Sequence, residues 1–238
     1  SVLYNPIFYT FITAHPKCIK VWDATNGRLI SVFRELTTRD ITCICLDHWN
    51  WKLFVGDSRG RVFSINIKNG AKMKKFKKHD QDVSCLYYWG EKNTIISSSW
   101  DTMVWLHDDS TPDAEGRMRY EMTKHTKSVN FIHFKPSHSL CASCSDDGQV
   151  IIYNYGSYRQ EGILSRNTAD GSDRAEVKVC KFLNPHNLIV TADLDGLLNF
   201  YNVYPSPNWN TLLCSVKDDI ESETGKPENF PVRSLDYD

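Results

Sequence analysis

The sequence predicts an all-β chain of tandem four-stranded antiparallel sheets, and three observations carry that expectation. Short β-branched and aromatic runs are separated by clusters of Gly, Asn, Asp and Pro, the pattern of strands joined by tight turns. A turn–strand–turn phrase recurs five times. No segment of the 238 residues sustains the 3.6-residue period of an amphipathic helix.

The phrase is read by aligning on its first turn. HPKCIKVWDATNG (15–27) matches SRGRVFSINIKNG (58–70), WDTMVWLHDD (100–109), DDGQVIIYNYG (146–156) and LDGLLNFYNV (194–203). One dipeptide position then holds Trp22-Asp23, Ile65-Asn66, His107-Asp108, Tyr153-Asn154 and Tyr201-Asn202, at intervals of 43, 42, 46 and 48 residues. A period in this range signals a repeat architecture.

The units run over approximately 1–34, 35–77, 78–124, 125–165 and 166–216. Each reads as four strands. In the second these are 41–47, 52–58, 61–67 and 71–76; the fourth supplies SVNFIHF, SLCASCS, QVIIYNY and YRQEGIL. The third and fifth follow with DVSCLYYW, NTIISSSW and TMVWLHD, and with EVKVCKF, NLIVTAD, LLNFYNV and TLLCSV. In ITCICLD, alternation places Ile41, Cys43 and Cys45 on one face and Thr42, Ile44 and Leu46 on the other. Both faces are mostly apolar, so each sheet is covered on both sides. Such sheets repeated in tandem stack radially as propeller blades.

After the fifth unit comes an acidic linker, KDDIESETGKPEN (217–229), and then FPVRSLDYD (230–238), which reads as the first strand of a sixth unit. The expectation is therefore an arc of five complete blades plus one strand, an incomplete ring. Four strands ~4.8 Å apart and about five residues long cover roughly 300 Å². At ~25 cal/mol/Å² an uncovered end face forfeits on the order of 8 kcal/mol, so further chain or a partner is expected against it.

The same residues resemble the WD-repeat family: IKVWD at 19–23, His79 and His125 opening the third and fourth units, and SCSDDGQVIIYN at 143–154. In that family a His, a strand Ser or Thr, a turn Asp and the Trp form a hydrogen-bonded structural set. The resemblance carries those roles to Trp22 and Asp23, to His79 and Asp101 with His107 at the Trp position, to His125, Ser143 or Ser145, and Asp147 with Tyr153 at the Trp position, and to Asp195. Pro16 stands where the first unit should have its turn Asp, and the set is expected to be incomplete in every unit.

FYTFITAHPKCIKVWDATNGRL and KFLNPHNLIVTADLDGLLNFYNV further resemble the large EF-hand and WD-repeat proteins of motile cilia. That likeness implies a non-catalytic scaffold of the axoneme, with tubulin or axonemal proteins and the rest of its own propeller as partners. The alternative is a substrate-recognition propeller of a ubiquitin-ligase or chromatin complex. A third, an enzyme housed in a propeller, would need carboxylates or histidines converging at one channel mouth.

Motifs for chemistry are missing. There is no G-x-G-x-x-G, P-loop or H-E-x-x-H. Cys141 and Cys144 have zinc-like spacing, but within a strand residues three apart point to opposite faces. DDSTPDAEG and TADLDG lack the first Asp and the twelfth-position Glu of a calcium loop. His107, His125 and His133 read as structural. The expectation is no enzyme, no cofactor and no metal.

With a net charge of −1, bulk charge points to neither nucleic acid nor an acidic membrane. The opening SVLYNPIFYT has no basic n-region, and it lacks an initiator Met, as a piece of a longer protein would. Six of the eight cysteines sit in apolar runs and no Asn-x-Ser/Thr sequon occurs, which predicts a reducing, cytoplasmic setting.

Recognition therefore rests on surface features. Lys68, Lys72, Lys74, Lys75, Lys77 and Lys78 crowd the outer strand of the second unit. They read either as protection of a sheet edge or as a surface for an acidic partner. Trp49 and Trp51 occupy a turn, LDHWNWKLF, where small polar residues are usual. Either one ring folds back on the blade rim, or the pair anchors a partner.

Overall fold

The structure is a computed structural model that describes residues 1–111, 115–165, 175–183, 185–203 and 211–217. These residues form five four-stranded antiparallel sheets with strands in sequential order. The first holds β1 (Val2–Asn5), β2 (Thr10–Ala14), β3 (Cys18–Asp23) and β4 (Leu29–Arg34); the second β5 (Ile41–Leu46), β6 (Lys52–Asp57), β7 (Val62–Asn66) and β8 (Lys72–Lys75). The third holds β9 (Val83–Trp89), β10 (Thr94–Ser99), β11 (Met103–Asp108) and β12 (Arg117–Thr123). The fourth has β13 (Val129–Lys135), β14 (Leu140–Ser145), β15 (Gln149–Asn154) and β16 (Arg159–Ser165); the fifth β17 (Val177–Leu183), β18 (Leu188–Asp193), β19 (Leu197–Asn202) and β20 (Leu212–Lys217). The only helical turns among the described residues are single 3-10 turns at Gly90–Lys92 and Pro136–His138. This is the blade construction of a β-propeller. Residues 218–229 and 230–238, expected as linker and sixth-unit strand, lie outside the described residues.

The chain divides into two compact units, residues 1–123 with three blades and 124–238 with two. Within the first, Ile12, Ile19 and Val21 of blade 1 pack on Ile44, Val55 and Ile65 of blade 2. The other face of blade 2 presents Cys43, Phe54 and Phe76 to Val83, Leu86 and Ile95 of blade 3. Gly56 permits that approach, since a Cβ there would lie 2.6 Å from the Cys43 sulfur and 2.8 Å from Val83. Within the second unit, Ala142, Cys144 and Ile152 of blade 4 meet Cys180, Phe182 and Ile189 of blade 5.

One facing assignment changes. A bulge sets Ile41 opposite Asp57 but Cys43 opposite Gly56, leaving Thr42 as the extra residue. The bulge reverses the alternation, so Ile41 joins Ile44 and Leu46 against blade 1 rather than sharing a face with Cys43 and Cys45. A second bulge recurs at the repeat dipeptide of all five blades, between Val21/Trp22, Ser64/Ile65, Leu106/His107, Ile152/Tyr153 and Phe200/Tyr201.

Candidate functional site

The polar sets that hold the blades differ from blade to blade. In blade 3, Asp101 accepts from Nδ1 of His79 at 2.9 Å. The Ser97 hydroxyl bridges Nε2 of His79 at 2.8 Å and Nε2 of His107 at 3.0 Å. The expectation of an incomplete set fails here, because an imidazole reaches Ser97 as an indole would. Blade 4 has the same start, His125 to Asp147 at 2.9 Å and to Ser143 at 2.8 Å. Tyr153 then lies near Ser143 but outside hydrogen-bonding geometry. Ser145 instead accepts from the Asp147 amide.

The remaining blades use substitutes that sequence reasoning missed. In blade 1, Trp22 donates to Thr13 at 2.8 Å and Thr13 contacts His15 at 3.1 Å, so His15 beside Pro16 fills the turn. Asp23 accepts from Thr25 and Asn26 in the next turn, which hold its carboxyl below the usual range. In blade 2 a fully buried Asp57 accepts from Thr37 and from Arg61, each at 2.7 Å. In blade 5 Asp193, not Asp195, accepts the turn amides of Asp195 and Leu197.

The Trp49–Trp51 turn is built by Asp47, whose Oδ1 accepts from the amides of Trp51 at 2.7 Å and Lys52 at 2.9 Å. Asn50 sits at φ +59°, a left-handed conformation that Asn tolerates, and its carbonyl accepts from Asn5 at 2.9 Å. Asn5 also caps the β1–β2 turn through the amides of Ile7 and Phe8. This lock places Trp51 edge-on to Phe8, ring centroids 5.0 Å apart, with Lys68 Nζ 4.3 Å from the indole. Trp49 leans on His48 at 4.4 Å, and His48 stacks over Tyr88 of blade 3 at 6.1 Å. The first strand-to-strand turns of blades 1 and 2 and the start of the third thus share one aromatic strip. Trp49 remains 64% exposed and Trp51 42%, with Ile7 and Tyr9 exposed beside them. Phe8, His48 and Tyr88 were not singled out from sequence, although NPIFYT occupies the turn of blade 1 that matches HWNW of blade 2.

The lysines separate into different roles. Lys74, expected at the charged edge, is only 6% exposed. Strand alternation turns it toward blade 3, where Nζ donates to the Asp109 carbonyl at 3.1 Å and lies 3.4 Å from its carboxylate. Lys52 pairs with the same carboxylate at 2.8 Å. Lys77 lies 4.2 Å from the Trp105 ring centroid. Lys72, Lys75 and Lys78 are exposed.

Among the described residues no group of three or more His, Cys, Asp or Glu is placed to hold a metal ion. All eight cysteines are free thiols, and burial pushes those of Cys43, Cys45, Cys141 and Cys144 up, away from nucleophilic thiolates. Burial, aided by His79 and Lys77, lowers His107 to about 3. No helix is long and apolar enough to cross a membrane among the described residues.

Residues 70–108 and 116–154 match the family described as WD domain, G-beta repeat. The chain carries WD repeats. The two matched stretches contain His79 with Asp101 and His125 with Asp147, the pairs measured above. Over 202 residues the chain is 23% identical to cilia- and flagella-associated protein 337 B of Tetrahymena thermophila, covering 85% of this chain and 16% of that protein. Over 88 residues it is 32% identical to the SAGA complex subunit Spt8 of Schizosaccharomyces pombe, covering 36% of this chain and 16% of that protein. It therefore spans a small part of either relative. WD repeats serve as protein-interaction scaffolds, presenting turns from rigid blades.

Proposed function

We propose that the chain is a non-catalytic scaffold of a cilium or flagellum, binding a protein through the aromatic strip of Phe8, His48, Trp49 and Trp51. The observation that carries this reading is the Trp49–Trp51 turn. Asp47, Asn50 and Asn5 hold it rigid, yet both indoles stay solvent-facing. A preordered tryptophan pair loses little entropy on docking, and Trp is enriched among interface hot spots. The ciliary setting rests on the likeness to the cilia- and flagella-associated protein across most of this chain. Tubulin or other axonemal proteins are the partners this reading supplies.

A second reading, a recognition propeller in a chromatin complex, draws on the shorter likeness to the SAGA subunit. Proximity labelling from the full-length protein separates the two: ciliary or flagellar neighbours support the first, chromatin subunits the second. Trp49→Ser with Trp51→Ser tests the strip. Loss of a hot-spot pair weakens capture of the identified partner at least about thirtyfold. Unchanged capture by a variant with wild-type circular dichroism rejects the strip as the contact.

A further inference from the structure

A cavity of about 260 Å³ opens at the outer margin of blade 2, away from the Trp49–Trp51 turn in sequence and in lining. Its floor is apolar: Leu36, Val62, Phe63 and Phe76, all at least nine-tenths buried. Its rim is cationic: Arg61, Lys72, Lys75 and Lys78. Among the described residues no carboxylate lines it. Arg61 is already committed to Asp57 at 2.7 Å, which also fixes its guanidinium in place.

The three lysines have no carboxylate partner among the described residues, and Lys72 Nζ hovers 5.9 Å from the Phe63 ring centroid. Edge protection explains single lysines on an outer strand. It does not explain a hollow with an apolar floor beneath three uncompensated ammonium groups, an arrangement in which like charges repel and buried carbon lacks packing partners. Lys74, on the same strand, shows the contrast: its charge is consumed by Asp109, and it does not line the hollow.

The volume selects the occupant. Sites for drug-sized ligands run to roughly 300–1,000 Å³. At 260 Å³ the hollow suits one or two side chains rather than a cofactor. A polyanion without apolar groups would satisfy the rim and leave the floor unfilled.

We infer that this cavity docks an acidic peptide segment of a partner protein, one large apolar side chain entering the hollow and flanking Asp or Glu pairing with Lys72, Lys75 and Lys78. This contact shares with the proposed scaffold role only the premise of protein binding, and it uses a different surface from the tryptophan strip.

The test measures fluorescence anisotropy of the whole chain with a labelled peptide in which one phenylalanine is flanked on both sides by glutamates. The peptide binds, and its Phe→Ala version binds at least about tenfold more weakly, the loss expected for an apolar anchor. Lys72→Glu, Lys75→Glu and Lys78→Glu together, all exposed positions, weaken binding by at least about tenfold and reduce its salt dependence while circular dichroism is unchanged. Trp49→Ser with Trp51→Ser leaves this binding intact, so the two surfaces fail or succeed separately. Four results overturn the inference: no binding of the phenylalanine peptide, equal affinity for its alanine version, no effect of the triple charge reversal, or equal or tighter binding of a single-stranded oligonucleotide of the same charge.

Discussion

Blades 3 and 4 begin alike: a histidine from the preceding connection bonds a turn aspartate at 2.9 Å and a strand serine at 2.8 Å in each. They part at the fourth member. His107 reaches Ser97 at 3.0 Å in blade 3, whereas Tyr153 of blade 4 leaves its hydroxyl outside bonding geometry. Blade 3 adds a second feature, Trp105 stacked 4.0 Å from His79 with Lys77 on the indole. The difference teaches that two blades with the same histidine–aspartate–serine core can still differ in what closes it, just as the other three blades replace the core itself. Variation at the closing position decides how each blade responds to mutation and acid.

The largest expected effect comes from removing the shared histidine. His79→Ala takes one partner each from Asp101 and Ser97 and strips the stack from Trp105, costing about 3–5 kcal/mol. His125→Ala breaks the matching bonds to Asp147 and Ser143 but loses no indole stack, since Ile151 stands where blade 3 has Trp105, so its cost is about 1 kcal/mol smaller. Urea unfolding of the two variants measures the gap. Six of the seven tryptophans precede residue 124, so fluorescence follows the first unit, and circular dichroism is needed for the second. Equal costs would mean that the Trp105 stack on His79 contributes nothing.

Acid sharpens the comparison. His107 titrates at about 3 in the folded protein because burial, then His79 and Lys77, disfavour its charge. Its unfolded value is about 6.5. Between those values the unfolded chain binds more protons, so this stability is fully present above about pH 6.5 and is lost as pH falls toward 3. Burial raises Asp101 and Asp147, but bonds from His79 and His125 prevail and hold both below the usual range. Their contribution stands above about pH 4 and fades below it, leaving the upper window to histidine. Blade 4 has its own sensor there, His133, which burial and then Lys181 lower to about 4. His107→Gln retains an amide for Ser97 and removes the titration. It should flatten the pH 6.5–4 decline followed by tryptophan fluorescence and leave His133's share of the decline untouched.

Much of this was legible in sequence because strands and turns are local. The alternation of TIISSS and MVWLHD and the Asp101 and Asp147 turns follow from neighbours alone. Asp57 and Asp193 were harder to see, since they sit two residues earlier in the turn than Asp101 and Asp147. The Thr37 and Arg61 that make Asp57 tolerable in burial lie outside the family's spacing. KMKK reads as a charged edge, and only Asp109, brought alongside by blade stacking, makes a buried Lys74 favourable. Thr42 gives no warning of the bulge that turns Ile41 over, because several residues could have been the extra one. For the candidate surfaces, the two indoles were visible, but their partners Phe8 and Tyr88 come from other blades.

The smallest expected effect lies in the turn that both blades share. Asp101 bonds the Met103 amide at 3.0 Å, as Asp147 bonds the Gln149 amide at 3.0 Å. Ser99 and Ser145 each accept from the aspartate amide at 3.1 Å. The residue between differs: Gly148 at φ +73° in blade 4, Thr102 at φ +74° in blade 3. A β-branched residue in that region costs roughly 1–2 kcal/mol, whereas glycine enters it freely at the expense of more unfolded-state entropy. Thr102→Gly therefore stabilises the first unit by about 0.5–1 kcal/mol, and Gly148→Thr destabilises the second by a similar amount. Paired urea midpoints read both. If Thr102→Gly fails to stabilise, the threonine must recover its backbone strain through contacts glycine cannot make, and blade 3 would owe part of its turn geometry to that side chain.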